Sequence, residues 1–172
     1  LKFRTPTAPR EFTQSLDLVL DILLEELGQP EMKEGLFFCL QELISNAKKA
    51  NNKRVYFQER GLDISNPADY EKGMRDFRRQ NVERLAHWMQ ELKERGLAIS
   101  VTFHTTGGNL RISVRNPAEL TQREQTRIYD RIVRARADNS FVEALSTPID
   151  PTEGAGLGIL ILLISLSRMY LG

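Results

Sequence analysis

The chain has 172 residues, 41% of them hydrophobic and 27% charged, with a net charge of +1. This composition suits one globular domain with a sizeable core, excludes a disordered chain, and offers no electrostatic footprint for DNA, RNA or anionic lipid. The single cysteine, Cys39, excludes an internal disulfide or a cysteine metal cluster, and a reducing cytoplasm is the default location.

Residues Leu1 to Arg10 carry Pro6 and Pro9 and read as an extended arm. From Phe12 to Leu27, the apolar residues Phe12, Leu16, Val19, Leu20, Leu23 and Leu24 recur at helical spacing, and Gly28 with Pro30 ends the helix. Residues 1–30 therefore form an arm and a helix ahead of a main domain over 31–172. A second helix is expected from about Glu31 to Asn51, followed by a short strand over Lys53 to Gln58. Gly61 to Ala68 reads as a loop, with Asn66-Pro67 a turn or a helix start.

The charged segment from Asp69 to Arg95 carries a seam of Tyr70, Met74, Phe77, Val82, Leu85, Trp88, Met89 and Leu92. It reads as a long surface helix with a break near Gln80-Asn81 and a cap at Gly96. Trp88, Met89 and Phe77 are either a contact surface or simply core. Beyond it, Ala98 to His104 and Leu110 to Val114 alternate with period two around Gly107-Gly108, the pattern of an antiparallel hairpin that Asn116-Pro117 ends. Thr121 to Ala137 reads as a helix with Thr121 at the N-cap and Glu124 at the capping-box position. A short helix over Asn139 to Ala144 and a proline-bearing loop over Ser146 to Thr152 follow. The last element is a helix from about Gly156 to Tyr170. Its apolar run, Leu157 to Leu166, is too short to span a bilayer, and the opening residues do not read as a signal peptide. Because the chain begins with Leu1 rather than Met and stops at Gly172, it reads as a fragment.

Two stretches carry chemistry. In the second helix, Glu42, Asn46 and Lys49 fall on one face, since residues three and four apart are neighbours. Leu43, Ala47 and Ala50 would take the core side. The polar triplet suits either an ordinary solvated face or a magnesium-chelated phosphate. In the second case Asn46 supplies a hard oxygen to Mg²⁺, Glu42 polarises a water or hydroxyl, and Lys49 neutralises phosphate charge. Far downstream, Glu153-Gly154-Ala155-Gly156-Leu157-Gly158-Ile159 is a glycine-rich turn that opens an apolar helix. Its amides could face an anion, or the glycines could serve helix packing. It is neither a Walker A loop, which needs a following Gly-Lys-Ser/Thr, nor a dinucleotide fingerprint. The two histidines, His87 and His104, read as structural or surface residues, since nothing pairs either with a carboxylate or metal cluster.

Together, Glu42-Leu43-Ile44-Ser45-Asn46-Ala47-Lys48-Lys49 resembles the N box of the GHKL ATPase superfamily (gyrase, heat-shock chaperone, histidine kinase and mismatch-repair ATPases). Gly154-Ala155-Gly156-Leu157-Gly158 resembles its G2 box, in the right order. The end of the hairpin, Ile112 to Ala118, sits where the family has its Asp-x-Gly G1 box. The resemblance covers about Glu31 to the C-terminus. It implies an α+β Bergerat fold: a two-layer sandwich with a mixed sheet covered by helices on one face, a flexible ATP lid over Leu120 to Glu153, and an inserted long helix over 69–96.

By position, the resemblance makes Asn46 the Mg²⁺ ligand, through ATP, and Glu42 the general base. Lys49 would contact phosphate, and Gly154, Gly156, Leu157 and Gly158 would cradle it. Asn116 takes the place of the aspartate that accepts from the adenine amino group; its carbonyl still accepts but lacks the charge. Ala118 replaces the motif's glycine, and Pro117 stiffens the turn. No histidine precedes Glu42, which argues against autophosphorylation on histidine within the chain. The expected function is a cytoplasmic Mg-ATP-binding module, a kinase-like or slow ATPase switch. It would act with a protein partner or phospho-acceptor, and the first helix is a candidate homodimer element. The alternatives are a non-catalytic nucleotide sensor or interaction module, and a domain that binds no nucleotide.

Overall fold

The structure is a computed structural model that describes residues 1–80 and 85–137. In chain order the described elements are strand β1 (Lys2–Thr5), helix α1 (Arg10–Glu26), a 3₁₀ turn (Pro30–Met32) and helix α2 (Lys33–Glu59). Helices α3 (Pro67–Gln80) and α4 (Leu85–Glu94), strands β2 (Ile99–Thr106) and β3 (Asn109–Arg115), and helix α5 (Gln122–Ala137) complete them. The protein is thus α+β. Two compact units divide these residues, 1–55 with 85–118 and 56–80 with 119–137.

In the first unit the strands form a three-stranded sheet in the order β1-β2-β3. The hairpin forms as its alternation predicts. Gly107 and Gly108 both hold positive φ, 56° and 79°, which a two-residue turn of the right twist demands and side chains resist. Val101 faces Val114 and Phe103 faces Ile112 across the β2–β3 ladder. Ile99, Val101 and Phe103 all point to one face and are buried. Against them lie Leu16, Leu20 and Leu24 of α1 and Leu40, Ile44 and Ala47 of α2, so helices and sheet share one core. Burying each of those leucines contributes roughly 1.5–3 kcal/mol.

Both pairings are antiparallel, so among the described residues the expected mixed sheet is corrected to an antiparallel one. A two-residue turn can only return the chain antiparallel, and β1 then adds to the other side of β2 with Phe3 opposite Val101. Within the expected extended arm, Lys2–Thr5 is an edge strand, and Phe3 stacks edge-on to Phe103 with ring centroids 6.2 Å apart.

The expected strand over Lys53 to Gln58 is also corrected: α2 runs unbroken to Glu59. Val55, Tyr56 and Phe57 are all buried, and a short apolar run looks the same in a strand as in a helix buried all round. In the second unit Tyr56 and Phe57 meet α3. Tyr56 lies 5.3 Å from Phe77 and Phe57 lies 6.0 Å from Tyr70 between ring centroids. Helix α3 starts where Asn66 accepts hydrogen bonds from the Ala68 and Asp69 amides and Pro67 takes the first helical position. The helical segment expected over 69–96 holds α3 up to Gln80 and α4 from Leu85, and Asn81 at the expected break lies outside the described residues. Phe77 and Trp88 are buried, so these two aromatics are core and not a contact surface. Thr121 and Glu124 form the expected capping box: the Thr121 hydroxyl accepts from the Glu124 amide, and the Glu124 carboxylate accepts from the Thr121 amide at 3.0 Å. No helix among the described residues is long and apolar enough to cross a membrane.

Candidate functional site

Helix α2 positions most of the candidate residues. Glu42 and Asn46 are half-buried on it and Lys49 is exposed. The stripe that faces the sheet is Leu40, Ile44 and Ala47, whereas Leu43 is 39% exposed. The assignment of Leu43 to the core is therefore corrected, and the stripe lies one residue further round the helix. Glu42, Asn46 and Lys49 keep their common face, away from the sheet.

The same stripe continues to Asn51, four residues after Ala47 and wholly buried. A side-chain amide inside a core must find partners, and Asn51 has them on both sides. Its Nδ2 donates to the Leu97 carbonyl at 3.2 Å, and its Oδ1 accepts from Nδ2 of Asn116 at 3.2 Å. Leu97 is delivered by the turn that ends α4. Gly96 takes φ +67°, and the Leu97 amide closes back on the Leu92 carbonyl at 2.9 Å. Asn116 follows directly on β3 and is half-buried. Three segments distant in sequence thus meet at one buried amide. Asn52, the next residue, is buried, and its Oδ1 has no hydrogen-bond partner among the described residues.

The structure therefore links the Asn116 position with the helix that bears Glu42, Asn46 and Lys49. Gly154, Gly156, Leu157 and Gly158 lie outside the described residues, as does the expected final helix; of the expected lid, the described part contains α5. Asn51, which the sequence reading does not single out, is the buried amide that joins these segments. The signal was available, since an asparagine in register with a core stripe requires a buried partner.

Other groups are less suited to chemistry. Burial pushes the Cys39 thiol above its ordinary value, so it is a poor nucleophile. His87 and His104 are exposed, and the His104 ring shares a 2.9 Å hydrogen bond with Thr106. In the second unit a cleft of about 610 Å³ is lined by Pro67, Tyr70, Thr121, Arg123 and Arg127, among others. Its cations already have a partner: Arg123 lies 4.5 Å above the Tyr70 ring and Arg127 donates to the Tyr70 hydroxyl at 3.3 Å.

A curated protein of Treponema pallidum (strain Nichols), described as an uncharacterized protein, is 40% identical to this chain over 167 residues. The match covers 97% of the chain but 33% of that protein, so the chain spans about a third of the length of this relative. No protein-family model matches the sequence, and no solved structure matches it.

Proposed function

We propose that the chain is a Mg-ATP-binding domain of the GHKL type, acting as a kinase-like or slow ATPase module in signalling or conformational switching. The observation that supports this reading best is the hydrogen bond between Asn116 and Asn51. It joins the segment in the G1 position to the helix that bears the N-box motif. Asn51 lies five residues beyond Asn46, about 7.5 Å along the helix axis, a span shorter than a nucleoside triphosphate.

The donor set suits the metal, since an amide oxygen and a carboxylate are the hard donors Mg²⁺ takes while keeping several waters. Asn46 would hold the ion, and the chemistry the ion supplies is neutralisation of phosphate charge. Lys49 would face phosphate, Glu42 would orient a water or an acceptor hydroxyl and take its proton, and the turn at Gly154, Gly156, Leu157 and Gly158 would present backbone amides. A Ser or Thr of a protein partner would be the acceptor in the kinase reading, and the cytoplasm its setting. Asn116 and Ala118, standing where the family has aspartate and glycine, favour a second reading: a nucleotide sensor without turnover.

Thermal denaturation with and without Mg-ATP tests the proposal. The expected result is a raised melting temperature, abolished by Asn46→Asp or Gly156→Val. Release or transfer of labelled phosphate, stopped by Glu42→Ala with the thermal shift intact, selects the enzyme. Binding without turnover over hours selects the sensor, and no shift at all rejects nucleotide binding.

A further inference from the structure

We propose that the sheet face turned away from α1 and α2 docks a short acidic segment of a protein partner. The inference stands apart from the nucleotide reading, because Glu42, Asn46 and Lys49 belong to α2, which packs on the sheet's other face.

Alternation along each strand decides which residues share the outer face. On β2, Ser100 and Thr102 fall between the buried Ile99, Val101 and Phe103 and so point the other way. The register then builds the face row by row, since directly opposed residues lie on one side of a sheet. Arg4 and Arg115 flank Ser100 from the two outer strands, and Lys2 and Ser113 flank Thr102. Arg111 stands opposite His104, whose ring is engaged with Thr106 at 2.9 Å. Lys2, Arg4, Arg111 and Arg115 are exposed, whereas Ser100, Thr102 and Ser113 are half-buried.

No aspartate or glutamate occurs in any of the three strands. Among the described residues, none of the four cations forms an ion pair with a carboxylate. The helices behave differently: Lys33 reaches Asp21 and Asp17, and Arg95 reaches Glu91 at 2.7 Å. Crowding like charges without partners opposes folding, and an anionic partner removes that opposition.

The shape and the charge narrow the partner. Short hydroxyl side chains on the central strand lie between long cationic ones on the outer two, which makes a shallow trough. With strands roughly 4.8 Å apart, Arg4 and Arg115 stand about 10 Å from each other at the backbone. A carboxylate lying along β2 is then within reach of guanidinium from either side and of hydroxyl donors beneath. Neither Phe, Tyr nor Trp joins this face, so it offers no platform for stacking bases and no wedge for a bilayer. The chain carries a net +1, so outside these four cations it carries a net −3. A duplex or a membrane reaches past the face and meets that acidic excess, whereas a short segment does not. A second copy is disfavoured as well, because a two-fold axis would set cations against cations.

NMR titration of the full chain at low salt tests the assignment, with a short synthetic peptide that alternates glutamate and threonine as the probe. The amide signals of Ser100, Thr102 and Ser113 should move, and added salt should reverse the movement. The same peptide with glutamine for glutamate should move nothing. Arg4→Thr with Arg115→Thr keeps residues that suit strands and should weaken binding about two- to twentyfold, the span expected for two exposed ion pairs. Lys2→Thr with Arg111→Thr serves if that variant fails to fold. No movement with the glutamate peptide, equal movement with the glutamine one, or unchanged affinity in a folded variant would overturn the proposal. So would tighter binding of a short DNA duplex or of phosphatidylserine vesicles through the same side chains.

Discussion

Helix α2 is one continuous element with two differently buried halves. From Lys33 to Ala50 it hides the stripe Leu40, Ile44 and Ala47 and leaves Gln41, Leu43 and Lys49 in solvent. From Asn51 to Phe57 it buries six of seven successive side chains, three of them polar: Asn51, Asn52 and Lys53. The difference teaches where a helix can be recognised from its sequence. A helix wetted on one side carries its 3.6-residue period in its sequence, and one buried all round loses it. The wet face displays Glu42 and Asn46, while the enclosed turn supplies the amide that orients Asn116.

The sharpest way to break this comparison is to truncate the enclosed half. Phe57→Ala should cost about 3–5 kcal/mol in urea unfolding, as removal of a fully buried aromatic does. A cost below about 1 kcal/mol would mean that the second half is not core. Gly73 of α3 adds a companion test. A Cβ placed there would stand 2.5 Å from the end of the Phe57 ring, so Gly73→Ala should cost about 1–3 kcal/mol by overpacking. Combining Gly73→Ala with Phe57→Leu should recover part of that cost, because the shorter side chain vacates the space.

How much of this was legible follows the same division. The hairpin, helix α1 and the capping box at Thr121 and Glu124 could be read because each has a local signature: alternation around paired glycines, a leucine stripe, and a Thr-x-x-Glu spacing. Strand β1 could not. Its four residues sit beside Pro6, and its partner β2 lies nearly a hundred residues away, so nothing local marks it as paired. Val55, Tyr56 and Phe57 favour a strand by their type, and tertiary enclosure overrides that preference. At the site, the shared face of Glu42, Asn46 and Lys49 follows from spacing alone. The bond from Asn51 to Asn116 spans 65 residues and depends on how the sheet lies against α2, which no single sequence displays. The misplacement of Leu43 is instructive, because an i, i+4, i+7 pattern beginning at Leu43 and one beginning at Leu40 differ only by a rotation of the helix.

That rotation can be tested by neighbours. Ile44 is buried and Leu43 is not, so Ile44→Ala should cost about 2–5 kcal/mol, whereas Leu43→Ala should stay within about 0.5 kcal/mol. Paired urea denaturations read the difference directly. Equal costs, or the reverse order, would turn the helix by one residue and move Glu42 and Asn46 with it.

The smallest expected effect sits at the wet end of α2. Lys33 reaches Asp21 at 2.9 Å and Asp17 at 3.6 Å, tying the start of the helix to α1. The hydrogen bond to Asp21, aided by the charge of Asp17, holds the ammonium above its ordinary value of 10.5 against a desolvation that lowers it. A raised value in the folded state means that folding favours the protonated form. The contribution is therefore complete below the ordinary lysine value and fades as pH rises through the folded one. Exposed pairs contribute little and are screened by salt, so Asp21→Asn should lower the melting temperature only slightly at neutral pH and low ionic strength. The gap between wild type and variant should close as the pH rises through the folded-state value, above the ordinary 10.5. A gap that stays constant across that range would mean that Asp21 acts through packing and not through charge. Phe57 and Gly73, by contrast, meet through shape alone, so their coupling should not respond to pH.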